Sequence, residues 1–314
     1  MDSTNLRSRM GRILAAVTAF TVLLGGLTAC GASSSSAKSS GTSSEASADS
    51  KARNLLPKDI RDKGEITAGA TAQFPPFAYL PAGGKTLVGY EPDIVNEIAK
   101  RLDLKVNWST FDFQGLIPAI QSGRIQVAAA GLTDTSERED TAIFVNDLIG
   151  RNGAIVPKGD KNKYKKFNDL CGKTVAAVTG SVGVTIVTKQ NDSCKADGLK
   201  PMTILELPDN SATLLAVTSG RAAAAMQTWP GAGYQAQQNS DLAAIVINEG
   251  MNARFTNGLA IDKKSPGLAD AFAAALQDMV NDGTYAKIMK ANGVDLKTNG
   301  ITKVYKNWTT NGFK

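Results

Sequence analysis

Apolar positions recur along this chain in two rhythms. Ile94, Val95, Ile98, Ala99 and Leu102 return at three- and four-residue intervals, which predicts a helix over 92–102 with one buried face. Residues 66–70 form a short apolar run that predicts a strand, and Val106 and Trp108 alternate with polar neighbours as a second strand would. A helix is expected over 116–121, stopped by Gly123, and then a short buried strand over 125–130. The alternation resumes downstream. It predicts a strand over 174–178, a loop at Gly180-Ser181, a helix over 182–190 and a strand over 202–206. A helix over 210–218 follows, with Asp209 or Asn210 as its cap, and then a small-residue strand over 222–227. Near the end, Leu268, Phe272, Leu276, Met279 and Val280 keep helical register, Asp282-Gly283 breaks the chain, and another helix begins over 285–289.

One junction occurs twice. Gln121-Ser122-Gly123-Arg124-Ile125 and Thr218-Ser219-Gly220-Arg221-Ala222 both end a helix in Ser-Gly-Arg and lead into a small-residue strand. The same junction in the same place of two strand–helix series predicts two α/β lobes of like topology. Their pairing should be mostly parallel, with right-handed crossovers. A cleft between such lobes is a natural place for a ligand.

The first 29 residues stand outside this pattern. Arg7, Arg9 and Arg12 precede an apolar run over 13–24, too short to span a bilayer but suited to a secretory signal. Leu27-Thr28-Ala29-Cys30 resembles the lipobox of bacterial lipoproteins, which implies cleavage before Cys30 and lipid attachment to it. Ten of the twenty residues over 31–50 are serine, so 30–54 is expected to be a flexible tether with a reach of about 25 Å. The chain is therefore expected at the extracytoplasmic face of the bacterial membrane. With Cys30 used as anchor, Cys171 and Cys194 remain as an even pair in an oxidising compartment, which predicts a disulfide; two free buried thiols are the alternative.

Composition narrows the chemistry. Loss of 1–29 removes three arginines and one aspartate and lowers the net charge from +6 to +4. No block of lysine and arginine interleaves with aromatics, which argues against nucleic acid. Histidine is absent, so the commonest general base and the commonest metal ligand are both missing. No metal and no cofactor is expected. Attention therefore falls on Gly131-Leu132-Thr133-Asp134-Thr135, a polar loop leaving a strand end with Arg138 just beyond it. In open α/β sheets ligands gather at such loops. An arginine there can grip a carboxylate with two parallel hydrogen bonds. A surface loop with a solvated arginine is the alternative.

The motifs Phe74-Pro75-Pro76-Phe77, Gly89-Tyr90-Glu91-Pro92-Asp93 and Gly115-Leu116-Ile117-Pro118-Ala119-Ile120 precede this loop. Leu170-Cys171-Gly172-Lys173-Thr174-Val175, Ser219-Gly220-Arg221 and Asp282-Gly283-Thr284-Tyr285 follow it. Together they resemble the bacterial extracellular solute-binding proteins of family 3, the polar-amino-acid class that feeds ABC importers. The resemblance implies a type II periplasmic-binding-protein-like fold of two α/β lobes with the cleft between them. It puts lobe 1 at 55–149 plus 255–314 and lobe 2 at 150–254, with hinge crossings near 150–152 and 253–257. It assigns Arg138 to the carboxylate of an amino-acid ligand, helped by Thr133 and the Gly131 backbone. Phe74 and Phe113 would pack on the ligand, ordinary core being the alternative for both. Ser181 and the Val182 N–H sit at a helix start and could hold an anion; a plain N-cap serine is the alternative.

One position departs from the pattern. Many relatives carry an aspartate for the ligand ammonium after the strand that follows Ser-Gly-Arg, and here Thr228 stands there, followed by Trp229. Glu91 or Asp134 could take over, or the ligand differs; Trp229 near the cleft suggests a cation–π contact with a substituted amine, and packing under the loop is its alternative. The function expected is capture of a polar amino acid or similar solute for an ABC permease, by a monomer and without catalysis. An exported enzyme of the same fold, dehydratase-like, and a ligand-sensing lipoprotein are the alternatives.

Overall fold

The computed structural model describes residues 50–246 and 255–312, and in them the long strands gather into two five-stranded sheets. The first stretch supplies β1 (Glu65–Ala70), α1 (Tyr90–Arg101), β2 (Lys105–Thr110), α2 (Leu116–Gln121), β3 (Val127–Ala128) and β4 (Ala142–Gly150). The chain continues through β5 (Asn152–Pro157), β6 (Thr174–Val178), α3 (Val182–Ala196), β7 (Thr203–Leu207), α4 (Asn210–Thr218) and β8 (Ala224–Thr228). It ends with α5 (Trp229–Gln238), β9 (Leu242–Val246), β10 (Phe255–Asp262), α6 (Pro266–Asn281) and α7 (Thr284–Ala291). The sheets run β2-β1-β3-β10-β4 and β9-β5-β8-β6-β7. Two sheet-rich lobes result.

Each sheet is parallel where strand and helix alternate and antiparallel where the chain arrives from the other sheet. β1 pairs parallel with β2 and β3, and β6 parallel with β7 and β8. β10 runs antiparallel to β3 and β4, and β5 antiparallel to β8 and β9. A helix crossover returns a strand in the same direction. β5 and β10 enter with no such helix in their own sheet, so the mostly parallel expectation holds only for the alternating part. Arg151 alone separates β4 from β5, and the return from β9 to β10 includes residues 247–254, outside the described part.

The apolar rhythm becomes two cores. Ile94, Val95 and Ile98 of α1 pack with Phe272, Leu276 and Met279 of α6, all fully buried. Each such side chain contributes about 1.5–3 kcal/mol on burial. Val187 and Cys194 of α3 meet Val175, Met226 and Ala154 in the second lobe. The Cys171–Cys194 disulfide forms there, with a Cα–Cα distance of 5.8 Å.

Residues 1–49, with the expected signal, Cys30 and most of the tether, lie outside the described part. The tether expected over 30–54 is corrected at its end, because Ser50–Asn54 is helical. Ala52 and Leu56, four residues apart, bury themselves in the first core, and Arg53 pairs with Asp103 at 3.0 Å. An apolar pair at one-turn spacing is enough to dock the segment.

Candidate functional site

The loop after β3 is held from behind. Gly131 turns the chain at φ +64°, its N–H donates to both Glu91 carboxylate oxygens at 2.9 Å, and its carbonyl accepts from Asn257 Nδ2 at 2.6 Å. The Leu132 carbonyl accepts from Gly258 N–H, and Asp134 N–H donates to the Thr256 carbonyl, so β10 backs the loop. Thr135 then caps the helical turn Ser136–Glu139 by accepting from Arg138 N–H. That cap fixes where Arg138 starts.

The Arg138 guanidinium reaches both lobes. Nη1 donates to the Thr133 carbonyl at 2.7 Å and Nη2 to the Gly180 carbonyl at 3.2 Å, while Cζ lies 5.6 Å from the Phe113 ring centroid. Burial pushes its pKa down to about 10, against the pull of Glu137 and Asp134, so it remains a cation near neutral pH. Phe74, Phe113, Gly131, Thr133, Ser181, Val182 and Thr228 line one cleft. Arg138 is not in that lining but is bonded to it through Thr133.

Two helices begin at the cleft without side-chain caps. Ser181 is the N-cap residue of α3, in extended conformation, and its side chain makes no capping bond. Thr228 precedes α5 and makes none either. The open N–H groups of a first helical turn carry partial positive charge. Sequence reasoning missed Asn152, Asn210, Met226 and Gln227, which also line the cleft. A polar side chain ending a small-residue strand was the available signal for Gln227.

The two carboxylates expected to replace the missing aspartate do not reach the cleft. Glu91 is fully buried behind Gly131, and burial together with Asp147 raises its pKa well above the carboxylate range. Asp134 accepts from Asn146 Nδ2 and Trp308 N–H, both at 2.9 Å, and burial with neighbouring Glu139 pushes it up to about 7. Trp229 starts α5 with its N–H on the Arg151 carbonyl and is not among the lining residues, which removes the basis for a cation–π contact. A second, more open chamber shares Phe74 and Phe113 with the first and adds Thr71, Gln73, Asp112 and Asp209. Gln73, with its amide nitrogen turned to α4, spans it to Asp209 at 3.2 Å and Ser211 at 3.3 Å.

A two-lobed cleft with an arginine at its edge is one arrangement among many folds, and sequence comparison decides between them. The profile of the bacterial extracellular solute-binding proteins, family 3, matches residues 66–293. This chain belongs to that family. The arginine-binding protein ArgT of Corynebacterium glutamicum is 30% identical over 244 residues, 77% of this chain and 78% of that protein. An ancestral arginine-binding protein solved with arginine is 32% identical at a TM-score of 0.64, covering 73% of this chain and 97% of that one. An amino-acid ABC transporter substrate-binding protein from Streptococcus pneumoniae bound to L-arginine is 26% identical at a TM-score of 0.66, covering 75% and 97%. As a family 3 member the chain is an extracytoplasmic solute-binding protein of the type II fold.

Proposed function

We propose that this family 3 protein captures an amino-acid-type solute by lobe closure and delivers it to an ABC permease, breaking no bond. The observation that carries this reading is Arg138, whose guanidinium is bonded to Thr133 on one lobe and Gly180 on the other. Its remaining N–H groups suit a carboxylate held bidentately. In the proposed cycle the solute carboxylate meets Arg138 and Thr133 in the open form. Closure then brings Ser181 and the Val182 N–H over it and shifts the population toward the closed state. Phe74 and Phe113 pack on the rest of the solute, and Thr228 and the exposed side of Gly131 complete the wall. The Gly131 N–H is not counted, because Glu91 already holds it. We take lobe 1 as 55–149 plus 255–314 and lobe 2 as 150–254, hinged near 150–152 and 253–257. A signal over 1–29, a lipid on Cys30 and a monomeric state complete the proposal, and the Arg7–Cys30 pattern supports the anchor.

Replacing Arg138 by alanine leaves a desolvated carboxylate without its partner. The expected loss is about 2–5 kcal/mol of binding free energy, read by titration calorimetry on protein stripped of solute. Wild-type affinity in Arg138→Ala would refute this site.

A further inference from the structure

Among the described residues the inner chamber has no carboxylate in its wall, and Asp112 and Asp209 line only the chamber beside it. Arg138 stands at its edge, and α3 opens onto it with an uncapped first turn, whereas in α5 the Trp229 N–H is taken by the Arg151 carbonyl and Pro230 has none. No aspartate or glutamate is among the described residues that line it. Glu91 and Asp134 are sealed behind the loop, 0% and 3% exposed, and each already accepts a backbone N–H. An ammonium placed here would be a buried cation served only by neutral acceptors, and such a charge is costly.

What the chamber offers instead is a carboxamide. Gln227, next to last in β8, is 8% exposed, and neither its Oε1 nor its Nε2 has a hydrogen-bond partner; the buried Thr228 Oγ1 has none either. Buried polar groups are almost always paired, so these point to the solute as the missing partner. They also converge. Gln227 Oε1, Phe74 Cε2 and Thr228 Oγ1 lie 3.1, 3.2 and 3.4 Å from the point where a Cβ on Gly231 would sit. A carboxamide presents an acceptor beside a donor, and a second amide matches both at once.

We propose that the solute is a carboxylate whose neighbouring nitrogen is acylated, an N-acyl amino acid or a lactam acid. Its carboxylate lies on Arg138 and its amide on Gln227 and Thr228. This rests on the amino-acid-type capture proposed above and names the chemistry of that same site. Selectivity follows from both sides. The acylated nitrogen brings no charge, and its amide satisfies Gln227, whereas a free amino acid brings an ammonium and leaves the carboxamide half paired.

The test is calorimetric titration of the stripped protein with matched pairs. These are L-glutamate and its lactam, L-leucine and N-acetyl-L-leucine, and L-arginine and Nα-acetyl-L-arginine, with succinate alongside. The acylated member of at least one pair is expected to bind about tenfold or more tighter than its free partner. Thr228→Asp supplies a carboxylate at the chamber and should reverse that order. Gln227→Leu should weaken the acylated member by about tenfold with an unchanged melting temperature, which separates recognition from folding. Tighter binding of the free amino acids overturns the inference and leaves the capture reading intact. Tightest binding of succinate overturns it in favour of a second anion. No heat with any compound overturns both.

Discussion

Gly131 carries three duties that no other residue type combines. Its φ of +64° belongs to the left-handed region, its N–H is taken by Glu91, and a Cβ there would sit 2.7 Å from Phe77 Cδ1 and 2.8 Å from Phe74 Cε1. Neither ring can retreat easily, since Phe77 is fully buried and Phe74 stacks on it at a centroid distance of 4.5 Å. Gly131→Ala should therefore cost about 1–3 kcal/mol of stability. It should also weaken solute binding by pushing Phe74 into the cleft. Urea unfolding and titration together check this, and wild-type values in both would contradict it. At this scale the turn at Gly131 was legible in the sequence, because a glycine after a short buried run marks a break in the chain. The engagement of Gly131 by Glu91 was not, because that contact joins positions forty residues apart. Gln227 was equally hidden, since a polar residue at a strand end can face either side of its sheet.

At the scale of elements, legibility followed local periodicity. α2 and α4 occur over the expected residues, and Asp209 caps α4 by accepting from Ala212 N–H at 2.8 Å. β4, β5, β9 and β10 were not foreseen. They are buried on both faces or nearly so, as the run Ala154-Ile155-Val156 shows, and such runs lose the alternation that marks a strand. α3 exceeds its expected end by six residues, from 190 to Ala196, and its last turn carries Cys194. The bond from Cys194 to Cys171 closes a segment of 23 residues and should contribute roughly 3 kcal/mol through the unfolded chain. Because the other end of α3 opens onto the cleft at Val182, the loss should reach function too. Cys171→Ser with Cys194→Ser is expected to unfold at lower urea concentration than wild type in oxidising buffer. Reductant should bring wild type to the same midpoint, and equal midpoints without reductant would remove the disulfide from this account.

At the scale of the whole molecule, the first lobe encloses carboxyl groups that oppose ionisation. Asp147, on β4 three residues before Gly150, has both carboxyl oxygens buried without a hydrogen-bond partner, and burial pushes it up to about 8. The carboxyl group of Glu91 is its neighbour and opposes its ionisation, and Tyr285 donates to its backbone carbonyl rather than to its carboxyl group. Asp134 is pushed up to about 7. An unfolded chain releases these protons at about pH 3.9–4.3. Between that value and pH 7–8 the folded protein holds protons that the unfolded chain has lost, so stability falls as pH rises. The contribution is full below about pH 4 and is lost as pH passes through about 8. Melting temperatures from pH 5 to pH 9 should therefore decline steadily for wild type. Asp147→Asn keeps the shape and removes one titration. It should flatten the decline and melt above wild type at pH 9, where wild type must bury a charge and the variant does not. Parallel profiles for the two proteins would mean that Asp147 is already ionised in the folded state, with Glu91 alone keeping its proton behind Gly131.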